Sequence, residues 1–402
     1  MKGSAWEADT SPRPPAALTS TVLAALQTAG IASCGVAAVE TFDRTRRDLE
    51  ERKAAGLHGA MSFTYRNPAR STDPSRILRG AQRLVVGAYS YVRPDQRVGP
   101  DQDARPDQDG GGATLPVAPG RVARYARYDA YGELRAALGA GVPVLREAGY
   151  RAVVVADDNA LVDREAANRA GIGWYGRNTN ILLPGRGSWF VLGAIVTDAP
   201  LTCATPVSFG CGSCTRCMQG CPTDAIVAPG VLDARRCLAW LLQAPGPIPR
   251  EFRIPLGDRI YGCDDCQEVC PPNIAMGRRP PTAGHADPQA STVDVTRFLD
   301  DDDAAVLAAA GGWYVQGRQA RFLRRNALVV LANTADPADP RTAALVRRWL
   351  CDEDPLVRGH AVWAAARLGR SEWADGLEAT EQDPMVMAEL DLRPSVPARV
   401  GP

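Results

Sequence analysis

Hydrophobic residues along this chain follow two periods, and their alternation predicts the first half of the fold. Apolar residues spaced three and four apart predict helices at residues 16–30, 129–148 and 160–170. Short apolar runs rich in β-branched and aromatic residues predict strands at residues 84–92, 151–156 and 188–196. Strands that alternate with helices are typical of an α/β domain, which we expect to end near residue 205.

The last part of the chain shows only the helical period, in RFLRRNALVVLAN, RTAALVRRWLC and DPLVRGHAVWAAARLG. The third segment has Asp354 as its N-cap, Pro355 as its first residue and Gly369 just past its end. Arg321 and Arg358 begin similar patterns 37 residues apart, near the period of HEAT repeats. We therefore predict an α/β domain at 1–205, a cysteine-rich domain at 206–275 and a HEAT-like helical domain at 276–402.

Two segments carry neither pattern. Residues 93–119 repeat PDQ and are rich in glycine and proline, which predicts a surface loop or insertion.

The N-terminus lacks the apolar core of a signal peptide. No apolar run approaches the roughly 20 residues that cross a bilayer. These features predict a cytoplasmic protein without membrane contact, and we expect a monomer.

Charge excludes one class of nucleic-acid binder. Lys and Arg number 46, as do Asp and Glu, so the chain is not a polycation. Any contact with nucleic acid must use a local basic face.

Cysteine carries the strongest chemical signal. The chain has 11 cysteines, and disulfides are rare in the cytoplasm. Cys34, Cys203 and Cys351 are scattered, and we interpret them as small buried apolar residues. The other cysteines lie close together between Cys211 and Cys270, which indicates a metal site or catalysis.

The run GCGSCTRCMQGCP has the C-x2-C-x2-C-x3-C-P spacing of a [4Fe–4S] site. In two-cluster proteins the fourth cysteine of such a run binds the other cluster. The first cluster would then be held by Cys211, Cys214, Cys217 and Cys270. The second run, GCDDCQEVCP, is one cysteine short, and Cys237 is the only cysteine left in the block. The second cluster would then be held by Cys221, Cys237, Cys263 and Cys266.

Three alternatives bear on this interpretation. Structural zinc sites also use C-x2-C pairs, although the full spacing and the Cys-Pro ending favour iron–sulfur clusters. Gly171, Gly173 and Gly176 match G-x-G-x-x-G, but they follow a helix, whereas a dinucleotide site must follow a strand. Only three histidines are present, which excludes a histidine-rich metal centre.

These motifs, together with VLDARRCLAWL, PREFR, GDRIYGCDDCQEVCPPN and AGIGWYGRN, resemble the epoxyqueuosine reductase family. The resemblance extends from residue 56 to the helical tail, interrupted by 93–119. It implies a cobalamin-binding α/β domain, a ferredoxin-like domain with two [4Fe–4S] clusters, and a HEAT-like domain that binds tRNA. The implied reaction reduces epoxyqueuosine to queuosine in tRNA with a GUN-type anticodon, with electrons from an unidentified low-potential donor.

The resemblance also implies residue roles. Its proton donor corresponds to Asp157, at the end of the strand RAVVVA, and the alternative is that Asp157, Asp158 or Asn159 only caps the next helix. The corrin contacts correspond to Arg70, Arg164, Arg177, Asn178 and the stretch from Ile181 to Ser188, each of which could instead be an ordinary surface or core residue.

The helical tail offers a candidate RNA-binding face. Arg321, Arg324 and Arg325 share a helix face by their spacing, and Arg347, Arg348 and Arg358 could extend it. With the resemblance, this arginine face predicts contacts to tRNA phosphates, although charged faces are usually only solvated.

Two rival functions remain open. A cobalamin-dependent reductive dehalogenase would share the cofactors, but Arg46-Arg47 lies too deep in the chain for a twin-arginine export signal and no apolar segment follows. An electron-transfer ferredoxin with a helical interaction tail would bind no corrin.

Overall fold

The computed structural model of this chain describes residues 14–92, 117–277 and 292–399. Nearly all of the predicted insertion at 93–119 therefore lies outside the described residues. Within the described ranges, no helix has the length and apolarity required to span a bilayer.

Eighteen α-helices and eleven strands are assigned within these ranges. The helices are α1 (Pro15–Thr28), α2 (Asp43–Ala54), α3 (Phe63–Arg66), α4 (Pro68–Ser71), α5 (Ala130–Gly139), α6 (Gly141–Glu147), α7 (Asp163–Arg169), α8 (Arg216–Gln219), α9 (Leu238–Leu241), α10 (Arg250–Leu256), α11 (Asp265–Glu268), α12 (Pro271–Gly277), α13 (Arg297–Asp300), α14 (Asp303–Ala309), α15 (Arg321–Thr334), α16 (Pro340–Leu350), α17 (Pro355–Arg367) and α18 (Pro384–Leu392). The strands are β1 (Ser33–Ala38), β2 (Arg83–Ser90), β3 (Pro119–Val122), β4 (Ala152–Ala156), β5 (Trp174–Tyr175), β6 (Ile181–Leu182), β7 (Phe190–Thr197), β8 (Ile226–Ala228), β9 (Val231–Leu232), β10 (Arg259–Tyr261) and β11 (Thr292–Asp294).

The main sheet has the strand order β1-β2-β7-β4, and every neighbouring pair is antiparallel. The three strands predicted from the apolar runs are present as β2, β4 and β7. Their direction was not predictable from the alternation of helices and strands, because helical connections also join antiparallel strands. The carboxyl ends of β2 and β4 and the start of β7 lie at the same end of the sheet.

Helices cover both faces of this sheet. On one face α1, α5 and α6 pack Leu26, Leu138 and Leu145 against Val85 and Ile195. On the other face α7 places small residues against β1 and β2. The helix predicted at 129–148 is divided into α5 and α6 at Ala140, between two glycines that weaken a continuous helix.

The cysteine block and the tail share a single hydrophobic core. Leu238, Leu242 and Ile260 from the block are buried against Leu328 and Val357 from the tail helices. A small sheet crosses the same boundary, because β3 pairs in parallel with β10 and antiparallel with β11. The division at residues 205 and 275 remains a prediction, and the hydrophobic core does not stop at residue 275.

The three predicted tail helices are present as α15, α16 and α17. The Asp354 carboxylate accepts a hydrogen bond from the Leu356 N–H at 2.9 Å, Pro355 is the first helical residue, and Gly369 has a φ of +71° just past the end. The residues that begin and end α17 were therefore predicted correctly. That the helices form HEAT repeats remains a prediction.

Candidate functional site

The four thiols predicted to hold the first cluster, which we call the first set, lie together as the cysteine spacing predicted. Burial, with a contribution from the nearby thiols of Cys211, Cys217 and Cys214, raises the pKa of Cys270 to about 11. Burial and the thiols of Cys211 and Cys214 also raise the pKa of Cys217. These interactions require proximity, so the last cysteine of the second run lies with the first three of the first run.

The second set also converges. Burial raises the pKa of Cys266 well above its usual value, and Cys263, Cys237 and Cys221 add to this effect. The isolated cysteine, Cys237, is thus a neighbour of the other three. The Cys221 sulfur accepts a hydrogen bond from the Ala225 N–H at 3.2 Å. Hydrogen bonds to cluster sulfurs are one means of adjusting reduction potential.

Soft thiolate ligands in two sets of four are the donors that [4Fe–4S] clusters require. Within the described ranges, no group of three His, Cys, Asp or Glu side chains is arranged to hold a single metal ion. The two sets fit the larger clusters in donor type and in number. Neighbouring buried thiols disfavour the thiolate, and a positively charged iron core would offset this cost.

Asp157 directly follows β4, at the end of the sheet where β7 begins. Its φ is +54°, a left-handed conformation that is uncommon outside glycine and that often occurs at functional sites. The residue is exposed, yet partial removal of solvent around the carboxyl raises its pKa. Arg135 opposes this rise, whereas Asp129 and Asp158 add to it.

Further titratable groups surround Asp157. Burial raises the pKa of the Tyr131 hydroxyl, and the carboxylates of Asp163 and Asp157 raise it further. Burial also raises the pKa of Asp163, while Arg164 lowers it. Arg135 donates a hydrogen bond to the Ala156 carbonyl at 3.2 Å. The sequence did not single out Tyr131, Arg135 or Asp163, because their proximity depends on how α5 and α7 pack around β4.

Asp158 has a different role from its neighbour. Its carboxylate accepts a hydrogen bond from the Ala160 N–H at 2.8 Å, which closes a local turn. The helix expected to start near Ala160 begins at Asp163, and its N-cap, Val162, makes no side-chain cap. Neither Asp157 nor Asp158 therefore caps the helix, and the catalytic role of Asp157 remains a prediction.

Some of the predicted corrin contacts are exposed to solvent, and others bond the cysteine block. Arg70 and Arg164 are exposed. The Arg177 guanidinium donates to the Gly212 carbonyl at 2.6 Å, and the buried Asn178 side chain donates to the Cys266 carbonyl at 3.3 Å. These two residues connect the loop after β5 to both cysteine runs.

The remaining predicted contacts, Ile181 and Ser188, are buried. Ser188 lies in a polar network with Tyr91, Gln267 and Asn273. The Ser188 hydroxyl accepts hydrogen bonds from the side-chain amides of Gln267 and Asn273, each at 3.0 Å. Gln267 also bonds the Tyr91 hydroxyl. The network joins the end of the sheet near Asp157 to the cysteine block, and the two amides carried no signal in the sequence beyond their place beside cysteines.

The predicted arginine face of the tail is wrong in part. Arg325 is 1% exposed, and its guanidinium binds backbone carbonyls, so it cannot reach a phosphate. Arg324 has only 12% of its side chain exposed and pairs with Asp303. Arg358 pairs with Glu381 through two hydrogen bonds at 2.6 and 2.9 Å. Helical spacing gives the direction of a side chain but does not show which partner covers it.

The other members of the predicted face, Arg321, Arg347 and Arg348, are exposed. Arg321 and Arg324 also border a cleft of about 340 Å³ that includes Trp349. A second cavity of about 680 Å³ is bordered by Pro222, Thr223 and Arg236. Neither cavity includes Asp157 or the predicted corrin contacts.

Two of the scattered cysteines contradict their interpretation as buried residues. Cys203 and Cys351 are exposed, and Cys34 is half-buried. A lone cysteine in a loop or at the end of a helix has no period from which burial can be inferred.

Three comparisons relate the chain to known proteins. Residues 210–273 match the family model of the 4Fe-4S double cluster binding domain. An epoxyqueuosine reductase from Xanthomonas campestris is 33% identical over 350 residues, covering 85% of this chain and 93% of that protein. One from Bacillus anthracis is 29% identical over 374 residues, covering 92% and 95%.

Solved structures agree over nearly the whole chain. An epoxyqueuosine reductase with an epoxyqueuosine-modified tRNA-Tyr stem loop superposes with a TM-score of 0.79 at 26% identity. A structure of the Bacillus subtilis enzyme, in which the loop of its catalytic aspartate is swung out of the active site, gives the same values. Each match covers 94% of this chain and 98% of the other.

Proposed function

The chain belongs to the epoxyqueuosine reductase family, and on that premise we propose that it reduces the epoxide of epoxyqueuosine in tRNA to the alkene of queuosine. The reaction takes up two electrons and two protons, breaks both C–O bonds of the epoxide and releases one water. The protein must therefore deliver electrons singly to a reducing centre and supply a proton to the departing oxygen.

The two sets of thiols would hold two [4Fe–4S] clusters, which would supply one-electron transfer when present. The first would be bound by Cys211, Cys214, Cys217 and Cys270, and the second by Cys221, Cys237, Cys263 and Cys266. The electrons come from a low-potential donor that the chain does not identify. The side chains of Arg177 and Asn178 bond carbonyls in both cysteine runs, which supports a close relation between the clusters and the reaction site.

Cobalamin, when bound, supplies a strongly reducing cobalt centre next to the substrate. The residues at this site fit its amide-rich and phosphate-bearing periphery: Arg70 and Arg164 are exposed donors. The indole N–H of Trp174 is buried with no protein partner, as expected of a group kept for a ligand. Asn178, Ile181 and Ser188 would support this pocket from its buried side rather than through exposed groups.

Asp157 is the proposed general acid. An alkoxide is a poor leaving group, so a proton must reach the epoxide oxygen as its bond to carbon breaks. The raised pKa of Asp157 keeps more of the carboxyl protonated near neutral pH than an ordinary aspartate would be. Its left-handed backbone conformation at a strand end is of the kind that is concentrated at active sites. The related Bacillus subtilis enzyme also carries an aspartate on a catalytic loop.

The substrate is tRNA with a GUN-type anticodon that carries epoxyqueuosine. A neutral chain must bind it through a local basic face. Arg321, Arg347 and Arg348 are the exposed members of the predicted face. Arg321 also pairs with Asp354 at 3.2 Å and Arg348 with Asp300 at 3.8 Å, pairs that remain open to solvent. Arg324 and Arg325 are largely or fully buried against their protein partners. We place the protein in the cytoplasm as a monomer, where that tRNA is available.

The observation that carries this proposal is the convergence of eight cysteines into two sets of four in a chain that aligns with the family along most of its length. The test is anaerobic reduction of epoxyqueuosine-modified tRNA, with clusters reconstituted and with cobalamin present or absent, followed by mass spectrometry of the nucleosides. Queuosine should form only when cobalamin and a reductant are both present. An ultraviolet–visible spectrum unchanged by added cobalamin, with no queuosine formed, would instead favour an electron-transfer protein.

A further inference from the structure

Arg325 and Asn326 lie side by side on α15 and are both buried, at 1% and 0% exposure. A buried guanidinium is costly unless its N–H groups find acceptors. Desolvation lowers the pKa of Arg325 to about 9. No carboxylate is a partner in the bonds that its side chain makes. Its partners are the Asn326 side chain and the backbone carbonyls of Leu241, Leu242, Ala244 and Gly246.

Asn326 connects two segments of the cysteine block. Its amide nitrogen donates to the Leu242 carbonyl at 2.9 Å and to the Ile260 carbonyl at 3.3 Å. Its amide oxygen accepts from two nitrogens of Arg325, at 3.1 and 2.9 Å. The two side chains therefore form one rigid unit that holds two backbone segments in register.

Those two segments lead directly to cysteines of the second set. Helix α9 begins immediately after Cys237, and its C-terminal carbonyls are the ones that Arg325 binds. Ile260 lies in β10, which leads through Gly262 to Cys263. Cys237 and Cys263 thus depend on segments whose relative position is fixed from the tail.

The first set has less need of such support, because three of its four cysteines lie within one short run, Cys211–Cys217. The second set draws Cys221, Cys237 and the Cys263–Cys266 pair from three separate places. A helix leaves its last carbonyls unpaired, and at the end of α9 Arg325 donates to those of Leu241, Ala244 and Gly246 while Leu242 also accepts from Asn326.

We propose that Arg325 and Asn326 are positioning residues for the second cluster, so that its assembly and potential depend on the helical tail while those of the first cluster do not. This inference rests on the proposed binding of that cluster by Cys221, Cys237, Cys263 and Cys266. It gives the tail a role in electron transfer that is separate from any contact with tRNA.

The test compares two asparagines on the same helix. Asn326→Ala removes two bonds to the segments that bear Cys237 and Cys263. Asn333→Ala removes two similar bonds, to the carbonyls of Arg253 and Gly257 at 2.8 and 3.1 Å, within and just after α10. Arg325→Lys is a second variant, which keeps a cation but cannot span the same carbonyls. Iron and sulfide content, electron paramagnetic resonance and the midpoint potentials of the reduced protein are measured without tRNA or turnover.

For Asn326→Ala and Arg325→Lys we expect iron to fall from about eight to about four per chain, or the potential of one cluster alone to shift. Asn333→Ala should keep about eight irons and both potentials. The proposal is overturned if Asn326→Ala keeps both clusters unchanged, if Asn333→Ala loses as much iron, or if the variants lose both clusters together. A wild-type protein with about four irons would instead refute the assignment of the eight cysteines.

Discussion

The neighbours of Asp157 shift the pKa of its carboxyl in opposite directions. Partial desolvation and the carboxylates of Asp129 and Asp158 raise its pKa, while the guanidinium of Arg135 restrains the rise. A group with a raised folded-state pKa keeps its proton to higher pH. A reaction that needs this proton should therefore slow as pH rises through that pKa.

Asp157→Asn retains the shape of the side chain and removes the acid. Turnover should fall by roughly the 10²–10⁴-fold that a positioned general acid contributes, and the decline in rate with rising pH should disappear. The measurement is a single-turnover pH profile, with cobalamin and tRNA binding measured separately and expected to be unchanged.

Asp158→Asn is the matched control, because Asp158 closes a turn at the Ala160 N–H and acts on Asp157 only as one of two neighbouring carboxylates that raise its pKa. Its activity should stay within a few-fold of the wild-type rate, with a stability loss of about 1 kcal/mol or less. If Asp158→Asn is inactive and Asp157→Asn is active, the roles of the two residues are reversed.

Among single residues, the sequence allowed the role of some to be predicted and not that of others. Seven of the eight cysteines were predictable from the spacing of the two runs, and Cys237 only because it was the cysteine left in the block. Arg325 was not, because its partners lie about 80 residues earlier in the chain, and only the packing of α15 on the cysteine block buries it. Tyr131 and Arg135 were missed for the same reason, since neither belongs to a motif.

Among the elements, α9 begins immediately after Cys237, the cysteine that no motif contains. Cys237→Ala should reduce iron from about eight to about four per chain and leave the other cluster's paramagnetic signal intact. Cys351→Ala, which changes an exposed cysteine outside the block, should retain all the iron. Full iron in Cys237→Ala would mean that another residue supplies the fourth ligand.

Periodicity predicted several elements of the first half but not the direction of the strands. β2, β4 and β7 were found from their apolar runs, and the two ends of α17 from its first proline and the glycine after it. Antiparallel pairing left no trace in the apolar pattern, because β2 and β7 are buried along most of their length and show no alternation. The break between α5 and α6 was signalled only by two glycines, which helices also tolerate.

Across the whole molecule, RNA binding must come from a surface and not from net charge. Arg347 and Arg348 are exposed in the last turn of α16. Changing both to Ala should weaken tRNA binding and make log Kd less steep against log salt by about one to two. Binding isotherms at several salt concentrations measure this.

Arg341→Ala is the control on the same helix. Arg341 is exposed but lies at the opposite end of α16, where it pairs with Asp339. Its loss should leave the salt slope unchanged. Equal effects of the two changes would mean that α16 does not bind RNA through its C-terminal arginines.

The small sheet β10-β3-β11 has a consequence for how the chain folds during synthesis. β3 emerges from the ribosome long before β10 and β11, its only two neighbours in that sheet, and Val122 at its end is fully buried in the finished protein. Contacts so distant in sequence close slowly. β3 therefore stays without these neighbours until β10 and then β11 have been made. Because β11 follows Cys270 in the chain, this sheet is completed only after all eight cysteines of the block have been synthesised.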